Sequence, residues 1–185
     1  SLPSAFDQTV KRVETILSEK GFKFLQAETM RPLLEHDGLT DWNTFAASRT
    51  DLGLDLYLAD GGRYRRRRYA TFSVNDGLIT RKPHQPHYQS RDHNLLNGGI
   101  ERWFGEIEPH IASHPAMLAA IRTISRFADA LTPSEEKPES WHTEVQQFRI
   151  EAQPDSEGRT TPDGMHRDGV DWVLALVIGR HNVEQ

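Results

Sequence analysis

With 185 residues and a hydrophobic share of 36%, the chain is long enough for one domain with a substantial core. A formal net charge of −5 argues against a nucleic-acid partner, and the absence of cysteine excludes disulfides and thiolate metal sites. Any metal would then rest on His, Asp or Glu, a donor set suited to iron or manganese.

Ser4 to Lys20 is predicted to form an amphipathic helix, with Phe6, Val10, Val13 and Leu17 on one stripe and Gly21 as its stop. A second helix is expected over about Ala27 to Glu35, carrying Met30, Leu33 and Leu34. Thr40 is the expected N-cap of a third, with Trp42, Phe45 and Ala46 facing inward. The period then changes. Leu54 to Ala59 and Arg63 to Val74 are predicted strands separated by the hairpin signal Asp60-Gly61-Gly62, and Leu78 to Arg81 adds a third.

Residues 82–99 form a loop rich in Pro, His, Asn and Gly, long enough to suggest a lid or binding loop. Pro115 starts a helix that runs to Leu131, with Leu118, Ile121, Ile124, Ala128 and Leu131 on its inner stripe. After a charged connector, Glu144 to Ala152 and Asp171 to Ile178 are predicted strands. Helices come first and strands follow, without βαβ alternation. The expected class is α+β.

The chemistry concentrates near the end of the chain. His166-Arg167-Asp168 opens into the apolar run Trp172 to Ile178, read as a buried strand. Side chains two apart on an extended segment share a face, so one imidazole and one carboxylate are offered to the same point. Those are two ligands of a 2-His-1-carboxylate site of the kind used by non-haem Fe(II) oxygenases. The pattern is short, and random order would give about one His-x-acid pair in such a composition. The second such pair, His142-Thr143-Glu144, begins a strand instead. Turn formers from Pro154 to Gly164 and the permissive Gly169 favour His166 and Asp168, with a surface His-Asp contact as the plainer alternative.

Three other groups were weighed. In Arg63-Tyr64-Arg65-Arg66-Arg67-Arg68-Tyr69 a strand sends alternate arginines to opposite faces. Arg66 and Arg68 are the candidate substrate-binding pair, because guanidinium forks suit carboxylates; a solvated strand face is the plainer reading. Gln147 and Arg149, alternating with Phe148 and Ile150, are candidate contacts to a co-substrate. His84, His87, His93, His110 and His114 are expected at the surface.

Glu144 to Ile150, the string Pro162-Asp163-Gly164-Met165-His166-Arg167-Asp168-Gly169-Val170-Asp171, and Gly179-Arg180-His181-Asn182-Val183 resemble the bacterial 2-oxoglutarate/Fe(II) dioxygenase family that includes the L-isoleucine dioxygenases, which hydroxylate free amino acids. The arginine-rich strand from Tyr64 to Phe72 is similar to the N-terminal half of that family. The resemblance implies N-terminal helices packed on a double-stranded β-helix, a jelly roll. It also implies Fe(II) as cofactor and 2-oxoglutarate as co-substrate, decarboxylated to succinate and CO2 as the substrate is hydroxylated.

His166 and Asp168 match the first two iron ligands of the family. The second histidine and the 2-oxoglutarate arginine lie on late barrel strands, and His181, the one later histidine, does not match that position. The expectation is therefore a single dioxygenase-like domain over residues 1–185 that lacks its C-terminal barrel strands. No apolar run approaches the ~20 residues of a membrane span and no signal pattern opens the chain, so a cytoplasmic enzyme with a small-molecule substrate is expected, with neither nucleic acid nor membrane as partner. The alternative is a non-catalytic small-ligand-binding or regulatory domain on a degenerate jelly roll.

Overall fold

The computed structural model describes residues 1–58, 62–88, 99–159 and 168–183. Helix α1 (Ala5–Lys20) begins where Ser4 and Asp7 satisfy one another's backbone amides, and ends at Gly21 with φ +78. Helix α2 (Ala27–His36) follows. Helix α3 (Trp42–Ala47) is preceded by Asp41 rather than Thr40. Asp41 sits at φ 50, and its carboxylate accepts a hydrogen bond from the Thr44 hydroxyl at 2.8 Å. Asp and Asn tolerate that left-handed backbone better than a β-branched threonine would.

A short 3-10 turn (Ser48–Thr50) leads into β1 (Gly53–Leu54). The long strand β2 (Arg65–Asn75) turns through Asp76 and Gly77, both at positive φ, into β3 (Leu78–Arg81). Positive φ at both corner residues matches the twist of the flanking strands. A two-stranded arm, β4 (His87–Tyr88) with β5 (Glu101–Arg102), precedes α4 (Pro109–Ala112) and α5 (Pro115–Leu131). His114 caps α5, its Nδ1 accepting from the Ala116 amide at 3.0 Å. Strand β6 (Trp141–Ile150) completes the set.

β2 is the axis of the sheet. β6 runs antiparallel along one edge from Arg65↔Ile150 to Val74↔Trp141. β1 and β3 pair with it at Arg66–Arg67 and Phe72–Asn75. Between them Tyr69 exchanges backbone hydrogen bonds with Gly105 and Ile107 at 2.8 and 3.0 Å. The even-numbered side chains Ala70, Phe72 and Val74 join Val13, Leu33, Leu34, Ile121 and Phe127 in the core, so the helices cover that face. Asp37, 7% exposed, ties the end of α2 to α5 through the Thr123 hydroxyl (2.8 Å) and an ion pair with Arg126. The class is α+β, helices against an antiparallel sheet, and none of the described helices is long and apolar enough to cross a membrane.

One expected strand is not found. Residues 168–183 carry neither helix nor strand, and Val173 and Val177 are 62% and 61% exposed. Leu176 and Ile178 still pack against the core, so the segment alternates like a strand while forming no ladder among the described residues. Its apolar composition favours extended backbone, but a strand exists only where a neighbour pairs with it. Of the expected strand Leu54 to Ala59, Leu54 pairs, together with Gly53, and residues 55–58 carry no strand; Ala59 and the Asp60-Gly61 turn signal lie outside the described residues.

Leu33 is 2% exposed at the centre of the α2 packing. Leu33→Ala is expected to cost about 3 kcal/mol, read as a lower denaturation midpoint at unchanged m-value.

Candidate functional site

The two faces of β2 carry different chemistry. Arg66, Arg68, Gln147 and Arg149 lie on the helix-side face, paired across strands as Arg66↔Arg149 and Arg68↔Gln147. Arg68 donates to the carbonyls of Asp51 (2.7 Å) and Glu106 (2.8 Å) and pairs with Glu108 at 3.2 Å. Gln147 donates to the Ser48 hydroxyl at 2.9 Å, and Arg149 to the carbonyls of Arg49 and Thr50. Glu151 takes both Arg66 (3.4 Å) and Arg149. Arg68, Gln147 and Arg149 hold the 3-10 turn and the start of the β1 region against the sheet, and Arg66 pairs with Glu151 at the end of β6.

The opposite face presents Arg65, Arg67, Tyr69 and Thr71 of β2 beside Phe148, Gln146 and Glu144 of β6. Asp55, 1% exposed, accepts from Arg65 Nε and pairs with Arg67, both at 2.8 Å. Arg67 also donates to Gln146 Oε1 at 2.8 Å. Its guanidinium carbon lies 4.0 Å from the Phe104 ring centroid and 4.6 Å from that of Phe148. Burial lowers the Arg67 guanidinium to about 9; Asp55 opposes the shift, while Arg65 and Arg102 add to it.

Beyond Arg67, Tyr69 lies edge-on to the His87 ring. Burial, and then the neighbouring Glu144 charge, push its phenol upward. Glu144 accepts from His87 Nδ1 at 2.9 Å and faces His142 Nε2 at 3.7 Å. Burial works against its ionisation, but His87, Tyr69 and His142 together outweigh that and hold it below the usual glutamate value. The Tyr69 hydroxyl faces the Glu144 carboxylate, while Arg67 Nε and the Thr71 hydroxyl are buried and find no hydrogen-bond partner among the described residues. Each such group costs about 1–3 kcal/mol where nothing meets it.

Of the sequence-predicted metal pair, His166 lies outside the described residues. Asp168 is on the exposed stretch 168–170, followed by Gly169 at φ 71. Among the described residues no three His, Asp or Glu side chains group to hold a metal ion. The histidines expected at the surface divide. His110 is exposed, His84 and His87 are half-buried, and His114 is 7% exposed as a helix cap; His93 lies outside the described residues. Asp55, Arg67, Phe104 and the His87–Glu144 pair were missed. The available signal was the period of two, which places Arg67, Tyr69 and Thr71 on one face once β2 is accepted as a strand.

Two outcomes follow. Asp55→Ala strands Arg65 and Arg67 without their carboxylate and is expected to cost about 3–5 kcal/mol in denaturant unfolding. The folded Glu144 carboxyl is depressed, so its contribution to stability is complete above about pH 4.5 and fades as pH falls through its lowered folded value. The Tm advantage of the native chain over Glu144→Gln should shrink with acid in that window.

Comparison with known proteins fits this arrangement. A crystal structure of a bsmA homologue from Methylobium petroleophilum PM1 is similar at a TM-score of 0.73 and 29% identity, covering 92% of this chain and 66% of that one. The crystal structure of IDO from Bacillus thuringiensis is similar in fold, at a TM-score of 0.64 and 17% identity, covering 86% and 66%. The chain thus spans just under two thirds of the length of each. No curated protein matches it. A family model described as 2OG-Fe dioxygenase matches residues 46–185, most of the chain and all of the sheet, and the protein belongs to that family.

Proposed function

We propose that the protein works as a 2-oxoglutarate- and Fe(II)-dependent hydroxylase of a small carboxylate-bearing substrate, a free L-amino acid. The observation that carries this reading is the family match across residues 46–185, which contains the His166-Arg167-Asp168-Gly169 string. Family membership implies Fe(II) and 2-oxoglutarate. His166 and Asp168 would hold the metal, an imidazole and a carboxylate two residues apart in the sequence. Gly169 at φ 71 turns the backbone directly after the carboxylate, a conformation that a side chain would strain.

When bound, Fe(II) with 2-oxoglutarate supplies the oxidising chemistry; the protein supplies geometry and a dry surface. The sheet is read as part of a double-stranded β-helix. Its helix-free face, with Arg67, Tyr69 and Glu144, would line the interior. Arg66, Arg68, Gln147 and Arg149 enter as positioning residues. Through the bonds of Arg68 to Asp51, Gln147 to Ser48, and Arg149 to Arg49 and Thr50 they fix the segment that leads to Asp55, and Arg66 holds Glu151.

The alternative reading is a non-catalytic small-ligand-binding domain. Metal titration separates the two. The hydroxylase reading expects micromolar Mn(II) or Fe(II) binding that falls at least tenfold in His166→Ala and in Asp168→Ala, with 2-oxoglutarate turnover lost in both. Metal binding indifferent to both substitutions would overturn it in favour of the second reading.

A further inference from the structure

We propose that His114 is a proton-sensitive clasp between α3 and α5: its neutral imidazole bridges Asp41 to the first turn of α5, and protonation of the ring opens the α5 end. The inference stands apart from the hydroxylase reading and holds whichever ligand the protein takes.

Pro115 opens α5 and carries no amide hydrogen, so the first N–H of the helix that needs a partner is that of Ala116. His114, extended at φ −64 and ψ 140 as expected before proline, accepts that N–H at Nδ1, 3.0 Å away. A ring nitrogen that accepts carries a lone pair, so the proton of the neutral ring belongs on Nε2. Nε2 faces the Asp41 carboxylate at 3.4 Å. Phe45 of α3 stacks on the same ring, 5.6 Å between centroids, and His114 is buried between them. One tautomer thus serves two helices at once.

A second proton has no place in this arrangement. An imidazolium donates from both nitrogens, and a proton on Nδ1 would point at the Ala116 N–H. It would also set a positive charge at a helix N-terminus, where the macrodipole opposes it. The opposing force is Asp41, the one charged side chain that meets His114 among the described residues. The Thr44 hydroxyl, and then His114, hold Asp41 below the usual aspartate value, so it stays ionised throughout the range in which histidines ordinarily titrate. Asp41 meets the ring at Nε2 alone, and its side chain is 58% exposed, which screens the pair. The charged ring keeps Asp41 only by giving up Ala116. The other charged groups nearby are engaged or turned to solvent. The first turn of α5 holds no acidic residue, Glu108 before α4 pairs with Arg68, His110 of α4 is exposed, and Asp37 at the end of α2 is taken by Thr123 and Arg126. The fold uses the neutral ring, so the clasp is closed at the alkaline end of the histidine range and opens as pH falls through it.

Thermal unfolding of the full chain between about pH 8 and about pH 5 tests this. His114→Asn leaves a side chain that caps helices and does not titrate. All other ionisable groups are shared, so their effects cancel in the difference. The native Tm should fall relative to that of His114→Asn by about 2–4 °C across the range, the size expected for loss of one cap in a chain of this length. His114→Ala, uncapped at every pH, should lose its deficit to the native chain over the same interval. In the native chain, ring nitrogen NMR shifts should show Nδ1 bare at the alkaline end, and the Ala116 amide should lose protection from hydrogen exchange as the ring titrates.

A Tm difference between the native chain and His114→Asn that stays constant with pH, as a purely packing role would give, would overturn the proposal. So would a difference that moves in the native chain's favour in acid, or a proton found on Nδ1 at the alkaline end. The ring spectrum and the exchange measurement need only the native chain, so the test stands even where neither variant folds.

Discussion

A slip of one residue between β2 and β6 would carry Phe72 and Val74 away from the helices and turn Arg67 and Thr71 against α5. Everything else in the molecule depends on that register. It is held along its length by backbone pairing and at one end by Arg67 with Gln146, while Asp55, just past β1, anchors Arg65 and Arg67 of β2. The apolar half of β2 faces the helices, and its polar half is covered instead by Phe104 and His87. A buried carboxylate flanked by two arginines is costly to assemble and more costly to leave half-assembled. Misaligned pairings of these strands are therefore penalised by electrostatics as well as by lost packing.

The same strand divides its arginines between two tasks. On the helix side Arg66 and Arg68 reach carbonyls and carboxylates of neighbouring segments. On the other side Arg65 and Arg67 are held by Asp55, with Phe104 and Phe148 against the Arg67 guanidinium. A run of adjacent arginines, which in a helix would suggest a nucleic-acid surface, becomes in a strand a structural clamp on one face and a buried charge cluster on the other.

Much of this was legible in the sequence where the physics is local. α1 and α5 are announced by a capping residue, a proline or glycine boundary and an apolar stripe, all within reach of the residues concerned. Strand β3 is legible at its own residues, Leu78 to Arg81, whereas the expected hairpin signal Asp60-Gly61-Gly62 falls partly outside the described residues and the turn observed is at Asp76-Gly77. Trp172 to Ile178 was read as a buried strand because its composition is strand-like, yet burial and pairing are supplied by partners that composition does not contain. The choice between arginine faces was harder still. Alternation separates Arg66 and Arg68 from Arg65 and Arg67, but which set meets the helices is decided by Phe72 and Val74 farther along. His142-Thr143-Glu144 does lie on β6, and Glu144 there meets His87 of β4, distant in the chain. No local signal announced that meeting.

The positive-φ corner at Asp76 and Gly77 has a kinetic consequence. A tight two-residue hairpin forms on the microsecond scale, so β2 and β3 can pair almost as soon as they are free of their surroundings. The opposite edge of β2 must wait for β6, whose Gln146 lies 79 residues from Arg67 along the chain. Closing so large a loop is slow, and until it closes an eleven-residue strand presents an open edge. Four consecutive arginines at the start of that strand repel a second copy of it. The charge run that marks the site in the folded protein thus also guards the chain against pairing with its own kind while it folds.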